Sequence, residues 1–146
     1  MENSAIRILD AHRIMAAATV RPDGWPQVTI VGYANVGLVI YFMILRSSQK
    51  FANIQRDNRI AIAVGEEPRN LSTLQALYSS AHALEVTDTN EREEAWRLLR
   101  ERHPNLERFA LQDQSAAVLM RALCEHVSVL DHIQGWNAAE QFTASS

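Results

Sequence analysis

The strongest constraint on this chain is a pair of tight turn signals set between short β-rich runs. Pro22-Asp23-Gly24 supplies a preset φ, a side chain able to accept a nearby backbone N–H, and a residue free to take positive φ. Before it, Ile14 to Arg21 can form a strand. After it, Gln27 to Tyr33 alternates as a returning strand, with Val28, Ile30 and Gly32 on one face and Gln27, Thr29 and Val31 on the other. Asn35 and Gly37 frame a second turn, and Leu38 to Ile44 follows, rich in β-branched and aromatic residues. Three strands joined by two short turns read as an antiparallel meander.

The flanking segments change period. Ala5 to His12 reads as an opening helix, capped by Asn3 or Ser4, with Ile8 and Leu9 inward. Ser47 or Ser48 can cap a second helix that buries Phe51 and Ile54, with Asn58 as a left-handed terminator. Ile60 to Val64 and Leu74 to Val86 read as further strands. Asp88 or Asn90, with Glu91 or Glu93 three residues on, makes a capping box for a third helix. That helix turns Ala95, Leu98 and Leu99 inward and ends at His103-Pro104. Ala116 to Cys124 suits a buried strand or a helix equally, and Val127 to Ile133 alternates as a strand before a break at Gly135. Hairpins with inserted helices predict an α+β, mainly β fold over one domain, 1–146: an antiparallel split β-barrel of six to seven strands with flanking helices.

Composition narrows the function classes. A net charge of −3 gives no broad positive field for nucleic acid. One cysteine, Cys124, excludes an internal disulfide and a CxxC zinc site. The first ten residues lack the apolar core of a signal peptide, and the longest apolar run, Leu38 to Leu45, is too short to span a bilayer. The expectation is a cytoplasmic protein that engages neither nucleic acid nor membrane.

Arg46-Ser47-Ser48-Gln49-Lys50 gathers two hydroxyls and two cations where a strand meets a helix N-terminus. Free N–H groups and the helix dipole favour an anion there. The residues alone leave two readings: an anion site, or a cap with both cations in water.

Three stretches, Met15 to Thr29, Ile40 to Ile44 and Ser48 to Val64, together with Ala81 to Asp88 and Val129 to Trp136, resemble the pyridoxamine 5′-phosphate oxidase-related FMN-binding split-barrel family. The resemblance implies a homodimer with two flavin sites at the subunit interface. It would place Ser48 and Lys50 on the FMN phosphate, with Gln49 where relatives carry arginine. Thr29, Ile30 and Val31, then Met43 and Ile44, would lie along the flavin, partly through backbone groups, with Trp136 near the ring. It implies a flavin-dependent oxidoreductase acting on a small molecule, with no catalytic residue assigned. The alternatives are deazaflavin or FAD in place of FMN, or a non-catalytic flavin, deazaflavin or haem-binding relative. Thr29 and Ala34 stand where true pyridoxamine phosphate oxidases carry an arginine and a lysine, and the ending Gln141 to Ser146 lacks their basic residues. Vitamin B6 oxidation is therefore disfavoured. Cys124 with His126, Asp131-His132 and Trp96 read as structural residues: no third metal ligand stands at a recognisable spacing, and adjacent strand residues face opposite ways.

Overall fold

The computed structural model describes residues 1–106 and 115–144, the side chains of 136–139 excepted. Three helices and seven strands follow in chain order: α1 (Glu2–Ala11), β1 (Ile14–Val20), β2 (Pro26–Val36), β3 (Val39–Leu45), α2 (Gln49–Arg56), β4 (Arg59–Gly65), β5 (Gln75–Glu85), α3 (Thr89–Arg102), β6 (Ala117–Asp131) and β7 (Trp136–Thr143). The strands run in the order β3-β2-β1-β4-β5-β6-β7, all antiparallel, and a β3–β6 pairing closes the first six into a barrel. β7 extends the sheet beyond that closure.

Local chemistry sets both hairpins. Asp23 Oδ1 accepts the Trp25 N–H, and Gly24 takes φ +88° in the first turn; Gly37 takes φ +58° in the second. A side chain at either glycine would be forced into the left-handed region. Alternation then sends Met15, Tyr33, Ile40, Phe42, Leu77 and Val118 into the barrel, where α1 adds Ile8 and Leu9 and α2 adds Phe51 and Ile54. Each such side chain contributes roughly 1.5–3 kcal/mol by leaving water. A second cluster, Ala34, Tyr41, Ala95, Leu99 and Leu119, forms where α3 lies on the outside of β2, β3 and β6.

Several expectations are corrected. α1 begins at Glu2, so Ser4 lies within it, buried, rather than capping it. Asn58 is not left-handed, since no residue other than glycine has positive φ among the described residues; α2 ends through an extended Asp57. Ala116 to Cys124 resolves as strand, continuous with Val127 to Asp131 in β6, and β7 follows the Gly135 turn. Asp88 caps α3 by accepting the Glu91 N–H, but the Glu91 carboxylate binds Tyr41 and Arg121 instead of completing the box. No helix among the described residues is long and apolar enough to cross a membrane.

Candidate functional site

β2 pairs with β1 along residues 26–32, but with β3 only over Tyr33–Val36 against Val39–Phe42. β3 pairs with β6 along its whole length, Val39–Leu45, so beyond the Tyr33–Phe42 pair its residues as far as Leu45 have β6 as their one strand partner among the described residues. Among the described residues the lower half of β2 therefore has one edge with no strand beside it. Its outward N–H and C=O groups are unpaired donors and acceptors lining a split in the barrel.

α2 starts just beyond the end of β3. Ser48 Oγ accepts the Phe51 N–H at 3.2 Å and donates to Leu45 O at 2.6 Å, so its one proton is committed to the turn. Gln49 Nε2 donates to Asn53 Oδ1 at 2.8 Å; Asn53, fully buried, donates on to Thr19 and Gln27. Arg46 pairs with Glu85 at 2.9 Å and lies over the Phe51 ring. Lys50 is different: it makes no ion pair or hydrogen bond among the described residues. Partial burial holds its ammonium below the ordinary lysine pKa. The first amides of α2 add donors that no intrahelical carbonyl can reach.

Thr29 faces inward on the unpaired half of β2, and its Oγ1 is buried with no hydrogen-bond partner. An orphaned hydroxyl on the strand with the bare edge, and a cation without a described partner on the helix whose Asn53 bonds Gln27 of that strand, form a donor set that suits a phosphate-ended, ring-bearing ligand. The remaining sequence-predicted positions divide by face. Val31 and Ile44 point into the core, 6% and 3% exposed, so only their backbone can meet a ligand. Ile30 projects from the outer face, and Met43 lines a cavity at the split. The side chain of Trp136 lies outside the described residues.

That cavity, about 340 Å³, was not foreseen from the sequence. It joins the split to the C-terminal end of α3, between Gly32 and Met43 on one side and Leu99, Arg102, His103 and Leu106 on the other, with Arg13 at its edge. His103 Nε2 donates to Tyr33 O at 2.9 Å, and its ring lies flat on Gly32, where an added Cβ would sit 3.0 Å from Cε1. Arg102 stacks on Tyr33 and donates to Asn35 Oδ1, which is in turn tied to Asp10. The pairing that builds this wall, α3 against β2, is non-local and leaves no spacing signal in the chain.

The other candidates are structural. Asp131 accepts from the Ile133 and Gln134 amides and from Gln75, fixing the turn into β7. Burial pushes the Cys124 thiol up to about 11, which keeps it unreactive at neutral pH. Trp96 packs against the cluster under α3. Among the described residues no group of His, Cys, Asp and Glu is placed to hold a metal ion.

A family model described as pyridoxamine 5′-phosphate oxidase matches residues 2–130. No curated protein matches the chain. Three solved structures show its fold. An FAD-binding protein from Mesorhizobium loti is 23% identical, with TM-score 0.69, covering 84% of this chain and 88% of its own. An F420 reductase is 24% identical, with TM-score 0.66 and coverage of 84% and 94%. The haem storage protein HutZ from Vibrio cholerae is 19% identical, with TM-score 0.69 and coverage of 85% and 89%. With a six-stranded barrel split between β2 and β3 and a family match over most of its length, the chain belongs to the pyridoxamine 5′-phosphate oxidase family.

Proposed function

We propose that the protein is an FMN-binding oxidoreductase that acts on a small molecule as a homodimer. The observation that carries this reading is the unpaired edge of β2 at residues 26–32, next to a helix N-terminus whose Lys50 has no partner. Lys50 and the first amides of α2 would hold the phosphate, and the Thr29 hydroxyl and β2 backbone would orient the rest of the cofactor. A bound flavin supplies the redox chemistry. The protein's own share is to position it and to keep water away, which needs no acid–base pair.

The homodimer is supported by an outward apolar face. Val28 and Ile30 are 63% and 65% exposed, and they flank a low floor of Ala16, Ala18, Ala61 and Ala63. An apolar face of this kind marks an interaction surface. A second copy would cover it and enclose the split. Family membership fixes the fold and not the substrate. Ala34 is fully buried beneath α3 and offers no cation, so the protein is not a dedicated pyridoxamine phosphate oxidase in this reading.

The absorbance spectrum of the purified protein, with mass analysis of what it releases, tests the cofactor. A flavin spectrum and FMN are expected; a Soret band, or a colourless protein that takes up no FMN, sinks the proposal. Light scattering should give about twice the 16.5 kDa chain mass.

A further inference from the structure

The cavity between α3 and the β2–β3 split carries a distinctive charge arrangement. Among the described residues two guanidinium groups line it and no carboxylate does. Arg102 is held from behind: it stacks on Tyr33, donates to Asn35 Oδ1, and shares Asn35 with the Asp10 carboxylate. Asp10 thus lies behind Arg102, on the other side of Asn35. Arg13 has no such partner. Its backbone carbonyl accepts the Tyr33 N–H at 3.0 Å, which pins the residue at the start of β1, while its side chain makes no ion pair or hydrogen bond among the described residues. The rest of the wall is largely apolar, from Met43, Leu99, Pro104 and Leu106.

We propose that this cavity takes a small carboxylic acid with an apolar body, its carboxylate held by Arg13. One uncompensated cation matches one negative charge. A guanidinium fork engages a carboxylate through two parallel hydrogen bonds. A phosphate dianion would bring a second charge into a partly closed apolar cavity whose other guanidinium, Arg102, is already held by Asn35 and Tyr33, which is less favourable. Apolar walls favour an aryl or branched alkyl body over a short polar acid. Gly32 is part of the same device: without a side chain there, His103 lies flat on β2 and leaves the cavity open. That the acid is the substrate rests on the flavin reading of the adjoining split; that the acid binds does not.

The test is a calorimetric titration of the full chain with benzoate, benzamide and phenyl phosphate, each with and without FMN present. Benzoate should bind more tightly than either of the others. Arg13→Gln should weaken benzoate by roughly ten- to hundredfold, leaving benzamide unchanged. Arg13 is exposed, and the variant should keep the wild-type melting temperature. Benzoate no tighter than benzamide, phenyl phosphate tighter than benzoate, or an unchanged Arg13→Gln would each overturn the proposal. Failure of the flavin reading has a separate signature: FMN binds neither wild type nor variant, whatever benzoate does.

Discussion

Along β2, residues 33–36 pair with β3 and residues 26–32 with β1, so each half has one strand partner, and the two halves differ in what covers them. The upper half is enclosed: Tyr33 is fully buried, its hydroxyl donates to Leu9 O at 2.6 Å, and Ala34 lies beneath α3. The lower half sends Val28 and Ile30 outward and leaves Thr29 Oγ1 without a partner. One strand thus holds a region packed beneath helices and a region with an exposed apolar face and an orphaned hydroxyl. Native interiors rarely tolerate the second kind, so it concentrates where a ligand or partner completes the bonding. Stability should reside in the upper half and binding in the lower.

The largest effect separates the two by stability. Tyr33→Ala removes a buried aromatic ring and a hydrogen bond between β2 and α1, and should destabilise the chain by roughly 3–5 kcal/mol in urea unfolding. A loss below about 1 kcal/mol would show that the upper half is not the structural anchor.

The next effect lies in binding. Lys50→Ala should weaken FMN by roughly ten- to hundredfold. Riboflavin, lacking the phosphate, should be affected far less. The fold should not suffer. Because burial lowers the folded-state pKa of Lys50, the unfolded chain holds that proton more firmly, so the group opposes folding at neutral pH. That opposition fades as pH rises through the lowered folded-state pKa, and the alanine variant lacks it at every pH. Equal losses for FMN and riboflavin would mean that Lys50 acts through structure, and no loss for either would remove the phosphate from α2.

The turns at the two ends of β2 were easier to read in the sequence than the split beside it. Pro22-Asp23-Gly24 and Gly37 are local devices, so both hairpins could be found from the residues that make them. Ala116 to Cys124 could not be resolved because β6 is buried on both sides there, with Val118 and Met120 in the barrel and Leu119 under α3. No alternation survives when both faces are dry. The split left no trace either. Residues 26–32 and 33–36 alternate alike, and only the end of the β2–β3 pairing at Tyr33–Phe42, while β3 continues on β6, strips one edge bare. At α2, Ser48 and Gln49 matched a phosphate motif by type, but their hydrogen bonds serve the cap and Asn53. Lys50 alone among those three has no hydrogen bond or ion pair among the described residues.

The smallest effect is the most diagnostic because its two parts have opposite signs. Thr29→Val is nearly isosteric and removes the orphaned Oγ1. In the ligand-free chain that hydroxyl is desolvated without return, and deleting it should stabilise the fold by up to about 1 kcal/mol. With ligand bound, the same hydroxyl gains a partner, and its loss should weaken FMN by roughly two- to tenfold, the range of one neutral hydrogen bond. A residue that merely packs would lose or gain in both measurements together. Chemical unfolding of the apo protein and a fluorescence titration with FMN give the two numbers from one preparation. If Thr29→Val instead destabilises the apo chain and leaves FMN binding untouched, Thr29 belongs with the enclosed half of β2, and the split begins below it.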